Sequence, residues 1–340
     1  MSTQLSSVDV GMIREPYPDF GQVHYVVDTA FRTQAQGWTR ADRTGPLDLL
    51  EARRAPSGVQ YVFRSGDYAN SAACLQAAND AMVPYRGDVL FFTPCSLTVT
   101  APVNVTCQDA RWLSRPVVRP GSHASIICGT NLAISLPIGA NNIEIAYLRL
   151  VPNVTSPCVN IVDAAYGYMH NVFSDMQASA TIALTSRLFQ ITGTSSGLAN
   201  DWLFDNIYHL TSGPQGPMGV VTGTTAVANG LILKDITHRH GVSTLAIGLL
   251  DIGCTLSHGI LVQGGAGYVT GVTSIVTTVV NVTNMTNNLG CVHAVNWRSA
   301  IGYALVSTFF TLAGATAEAS LANCIIGITT TGAGGTTFTG

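Results

Sequence analysis

Between residues 121 and 340 the charged groups are few: four Arg, the single Lys234, and the acids Glu144, Asp163, Asp175, Asp201, Asp205, Asp235, Asp251 and Glu318. Cleaving a polysaccharide takes two carboxyl groups on one face, one as acid and the other as base or nucleophile. The densest grouping is Asp201 with Asp205, Asp235 further along, and His209 and His238 near them in sequence. As a site it would set carboxylates beside imidazoles for proton transfer. The opposing reading puts Asp235 in a turn and leaves the two histidines to pack and hydrogen-bond. A region with so few carboxylates has little to pair, so no catalytic residue is assigned and the chain is read as leaning away from an enzyme.

Other chemistry is weaker still. His238-Arg239-His240 has no Cys or carboxylate partners at ligand spacing, and no metal site is expected there. Gly264-Gly265-Ala266-Gly267 and Gly332-Ala333-Gly334-Gly335 lack the Lys-Ser/Thr ending of a phosphate loop and read as turns. No cofactor is expected. The eight cysteines form no Cys-x-x-Cys pair and sit mostly in apolar runs. They read as buried small hydrophobes, which fits folding in a reducing cytoplasm. The N-terminal Met1-Ser2-Thr3-Gln4-Leu5 opening has no basic region ahead of an apolar core, so no signal peptide is expected. The uncharged stretch from Ser299 to Thr316 is diluted by Gly, Ser and Thr and reads as buried strands, not a membrane span.

Only 10% of the 340 residues are charged, 47% are hydrophobic and 34 are Gly. That excludes a disordered chain and a long coiled coil, and a net charge of -3 gives no footprint for nucleic acid. The charges are uneven, with 11 Arg and 11 acids in residues 1–120. Residues 1–65 are rich in Arg and aromatics with no sustained period, and they read as an irregular attachment region. Arg14, Tyr17, Phe20, Arg32, Trp38 and Arg40 would make the contacts, since these types combine large area with hydrogen bonding.

The rest of the chain must supply the scaffold. Asn70 or Ser71 can cap a short helix over about 70–83, with Leu75, Ala78 and Met82 as its apolar stripe and Pro84 as its stop. A strand over Asp88–Pro94 follows, and alternation continues through Leu97, Val99, Val103 and Val105. A helix so placed would cover the open end of a stacked sheet. Beyond it an apolar-x-x-apolar unit recurs. It ends at Leu148, Val172, Ile207, Ile236 and Val272, preceded by Tyr147, Asn171, Asn206, Asp235 and Gly271, with weaker copies at Leu113, Trp297 and Ile325. Steps of 24 to 36 residues between Gly-, Asn- and Thr-rich turns predict a parallel β-solenoid whose inward side chains stack from coil to coil. A β-sandwich would favour hairpin dipeptides, of which only Asn229-Gly230 occurs.

The helix, the strand Gly87-Asp88-Val89-Leu90-Phe91-Phe92-Thr93-Pro94-Cys95-Ser96-Leu97-Thr98-Val99, and then Val103-Asn104-Val105 resemble the opening coil of phage tailspike-type and pectate-lyase-like right-handed β-helices. Cys95 and Leu97 stand where that group usually has Gly and Tyr. The resemblance covers about residues 66–330 and implies an all-β, right-handed, single-stranded parallel β-helix with a short N-terminal capping helix and an irregular N-terminal arm. Residues 331–340 read as a flexible end. It also implies a bacteriophage virion protein, made in the host cytoplasm and assembled as a homotrimer. A capsid-decorating or cement protein bound to the major capsid protein is the expected role. The alternative is a tail fibre or tailspike with polysaccharide depolymerase activity, the one case in which a polysaccharide would be a partner. Neither nucleic acid nor membrane is expected as a partner.

Overall fold

In the computed structural model the described residues are 23–27, 53–55, 58–64 and most of 68–324. Within that last range 86–87, 93–95, 115–123, 129–132, 153–156, 177–185, 195–198, 212–215, 224–226, 242–243, 254, 270–274, 283–290, 300–309 and 313–317 are outside the description. The expected attachment residues Arg14, Tyr17, Phe20, Arg32, Trp38 and Arg40 therefore lie outside the described residues.

From Val89 onward the chain repeats one circuit. A strand of the first sheet (Val89–Phe92, Arg111–Ser114, Glu144–Ala146 and successors) turns a corner into the second sheet (Ser96–Val99, Ala124–Cys128, Leu148–Val151) and then the third (Val103–Asn104, Ile134–Leu136, Pro157–Val162). Each strand pairs in parallel with its counterpart one coil away, so the second and third sheets each hold eight strands in sequence order. The fold is a parallel β-solenoid. Alternation puts every second residue inside, and Leu90, Trp112, Ile145, Met169, Phe204, Leu233, Val262 and Ala294 form one buried column in register. Burying such a side chain contributes about 1.5–3 kcal/mol, and here only the neighbouring coils supply the burial.

The corner after the first sheet explains the repeat. Leu148, Val172, Ile207 and Ile236 are all buried in one column. The residue before each has positive φ: Tyr147 at 58°, Asn171 at 51°, Asn206 at 48° and Asp235 at 51°. Asn and Asp tolerate this left-handed backbone, which reverses the chain in one residue. Amides at this corner bond along the stack, as in Asn171 N–H to Asp205 C=O at 3.0 Å and Asn206 N–H to Lys234 C=O at 2.9 Å. Side chains follow where both are Asn, with Asn206 Nδ2 donating to Asn171 Oδ1 at 2.5 Å.

The next copy departs from the expected position. Asp235 N–H bonds Gln263 C=O and Thr237 pairs with Ala266, so Gly264 and Gly265 hold the corner, and Val272 lies outside the described residues. The reason is local: Gly265, opposite Ile236, has φ 93°, and a Cβ there would collide with the Ile236 carbonyl oxygen, so no apolar anchor fits. Leu113 pairs with Ala146 inside a strand and is not a corner residue. Trp297, preceded by Asn296 at φ 59°, is one.

The N-terminal end is closed in two ways. A helix (α1, Ser71–Asp80) starts where Asn70 Oδ1 accepts from Ala73 N–H at 2.9 Å, and it buries Cys74, Leu75 and Ala78. Gln76 acts as a substitute strand: its Oε1 accepts from Asn104 N–H at 2.8 Å, and its Nε2 donates to Asn104 C=O at 3.1 Å. The open edge of the third sheet is thereby satisfied. The first sheet instead continues outward, with Val23–Val27 parallel to Val89–Phe92, Gly58–Arg64 parallel to Val23–Val27, and Arg53–Ala55 antiparallel on Gly58–Arg64. Parts of the 1–65 region are thus strands of the same sheet.

Candidate functional site

The five residues grouped from the sequence occupy four different places. Asp201 and Asp235 are exposed and sit at left-handed corners, with φ of 55° and 51°. These corners flank opposite ends of the first sheet, five residues apart along the strand direction, or roughly 15 Å. Each carboxylate lies over a glycine of the next coil, Asp201 over Gly230 and Asp235 over Gly264. Asp205 is on the outer face of the first sheet. His209 and His238 are fully buried inside the second sheet, paired in register with ring centroids 5.1 Å apart. The stacking of the histidines follows from their spacing, but they face the core and not the aspartates.

The outer face of the first sheet carries the densest polar cluster, over consecutive coils. Arg111 Nε lies 3.5 Å from Glu144 Oε2, and Glu144 Oε1 lies 2.8 Å from His170 Nε2. Asn171 Nδ2, which can only donate, meets His170 Nδ1 at 2.7 Å, so Nε2 carries the proton and donates to Glu144. The Tyr168 ring stacks on His170 at 4.1 Å, and its hydroxyl donates to Asp205 Oδ2 at 3.3 Å. Lys234 Nζ closes the chain on the same oxygen at 3.1 Å. Burial first, then the charge and hydrogen bond of Asp205, pushes the Tyr168 phenol up from its ordinary value. Tyr168 therefore stays a proton donor. No sequence motif marks this cluster, because its partners stand 26 to 37 residues apart and meet only through the strand register.

Spacing decides what the cluster can do. Glu144 pairs with Tyr168 and Asp205 with His170, so the carboxylates are two coils and two residues apart, roughly 12 Å. Glycoside cleavage uses about 5–9.5 Å. Each carboxylate is met by a cation, which suits a register-holding ladder better than an acid–base pair. Partly exposed pairs of this kind contribute about 0–1 kcal/mol each.

Inside the second sheet runs a second polar column. Ser174 Oγ meets His209 Nδ1 at 2.9 Å, and Thr211 Oγ1 lies 2.7 Å from His240 Nδ1 and 3.3 Å from His238 Nε2. All five residues are fully buried. Burial, then the neighbouring His240, pushes His209 down to about 3. His238 is lowered by the same burial and by both other imidazoles. His209 and His238 are held neutral, and His209 Nε2 has no hydrogen-bond partner. Among the described residues no group of three or more His, Cys, Asp or Glu could hold a metal ion, and no helix is long and apolar enough to cross a membrane.

No protein-family model, no curated protein and no solved structure matches this chain.

Proposed function

We propose that the chain is a structural protein of a bacteriophage particle, a capsid-decorating or cement protein whose solenoid projects from the shell. One observation carries this reading. Val23–Val27 lies between Gly58–Arg64 and Val89–Phe92, so residues 1–22 and 28–52, which hold the Arg and aromatic residues, are joined to the capped end of a rod. An Arg- and aromatic-rich sequence leading into strands at one end of a stacked body is the arrangement an attachment protein needs. The first sheet stacks twelve strands in order, about 50 Å from end to end, a compact body that supports a shell ornament over a long receptor-reaching spike. The outward, half-buried Leu203, Ile232 and Leu261 stand in register and support packing against further copies, three in the proposed assembly.

The test is a truncation of residues 1–22 combined with Arg32→Ala, Trp38→Ala and Arg40→Ala, which removes every assigned attachment residue and spares Val23–Val27. The shortened protein is expected to keep its β-sheet circular dichroism and melting temperature but to stop cosedimenting with phage particles. Retained cosedimentation overturns the attachment reading, and a monomer by light scattering at micromolar concentration overturns the trimer. Release of reducing sugar from host polysaccharide, abolished by Asp205→Asn, would transfer the case to a depolymerase.

A further inference from the structure

We infer that Cys128 and Cys158 are the two halves of a disulfide that closes one coil of the solenoid. Cys128 ends a second-sheet strand, Ala124–Cys128, and Cys158 lies in the third-sheet strand Pro157–Val162 of the following coil. Both are inside the core, at 1% and 0% exposure. Their sulfurs stand 2.8 Å apart as free thiols. That is well inside the ~3.5–4.0 Å at which unbonded carbon atoms rest, and sulfur is larger. Two other thiols behave differently: Cys107 and Cys324 lie against the carbonyl oxygens of Gln108 and Ala294, each at 3.4 Å. Packing has brought Cys128 and Cys158 against each other.

The bond needs a two-electron oxidant, and a small-molecule disulfide such as oxidised glutathione supplies it. One protein thiolate attacks a sulfur of that disulfide and releases one glutathione thiolate. The second protein thiolate then attacks the mixed disulfide, forming Cys128–Cys158 and releasing the second glutathione thiolate. The two thiol protons end on the two released glutathiones, so the protein loses two electrons and two protons and the oxidant gains them. Burial, followed by the neighbouring Cys128, raises the Cys158 thiol well above its ordinary value, so exchange in the folded core is slow. The step therefore belongs to folding, before the second and third coils close over the pair, and once made the bond is shielded from reductants. The bridged residues are thirty apart, about one circuit, so the link covalently closes a single ring of the stack.

The experiment refolds the full-length protein from denaturant in a glutathione redox buffer, with a parallel sample kept in excess dithiothreitol. Unreduced proteolytic peptides are then mapped by mass spectrometry after alkylation. The expected result is a linked pair of peptides containing Cys128 and Cys158, two hydrogens lighter than their sum, and a melting temperature about 5 °C above the reduced protein. Cys128→Ser and Cys158→Ser should each abolish the redox-dependent shift, and Cys74→Ser should leave it. Recovery of both peptides alkylated after oxidative refolding, or linkage of Cys128 to another cysteine, overturns the inference. If the single variants fail to fold, the peptide map of the parent protein still decides it.

Discussion

His209 and His238 make the core acid-sensitive. With an ordinary value of 6.5 when unfolded and about 3 when folded, His209 binds a proton in the unfolded chain first as pH falls. Stability is therefore complete above about pH 6.5 and is lost progressively between 6.5 and 3, by about 3–5 kcal/mol for a fully buried imidazole. Urea unfolding at stepped pH should show that fall, and His209→Leu should flatten it. An unchanged slope would mean the imidazole is hydrated in the folded state. A second residue-scale expectation concerns Gly167. A Cβ there would meet the indole of Trp202, which is fully buried and tied by Nε1–H to Ala164 C=O at 2.8 Å. Gly167→Ala has no space to use and is expected to destabilise by about 1–3 kcal/mol in thermal or chemical unfolding.

At the scale of elements, α1 matters as an edge cover more than as a helix. Its polar grip on the third sheet runs through Gln76 and Asn79 on Asn104, with Asn79 Nδ2 adding a 3.0 Å bond to the same carbonyl. Gln76→Ala should lower stability by about 1–2 kcal/mol and, by baring a strand edge, increase concentration-dependent association seen by light scattering. The helix, its stripe and its Asn70 cap were legible because caps and 3.6-residue periods are local. So was the corner after the first sheet, where Asn171, Asn206 and Asp235 repeat before a buried aliphatic. The other corner was not, although Asp109, Asn142, Tyr166, Asp201 and Gly230 all share its left-handed backbone. Their types differ too much to show a pattern. The Glu144–His170 and Asp205–Lys234 contacts were equally hidden, because partners 26 and 29 residues apart meet only through a register that no local pattern encodes.

At the scale of the whole molecule, the N-terminal strands change what can be removed. Deleting residues 1–60 takes away Val23–Val27, the direct neighbour of Val89–Phe92, and leaves that strand as a raw edge. Such a deletion should melt earlier than the parent and aggregate. The 1–22 deletion should not. Circular dichroism melts of the two truncations side by side check this, and equal melting would show that the outer strands add nothing to the body. Compositional reading separated residues 1–65 by their Arg and aromatic content and lack of a sustained period but could not see that strands of the same sheet run through both portions.

The closed end also sets the order in which the molecule can be made. Synthesis delivers Val23–Val27, Gly58–Arg64 and α1 before any coil, so the template for Val89–Phe92 exists when that strand leaves the ribosome. Every later strand finds its partner about one circuit earlier in the chain. The nascent polypeptide can thus wind on coil by coil from a finished base, each new strand adding its pairing at the growing tip.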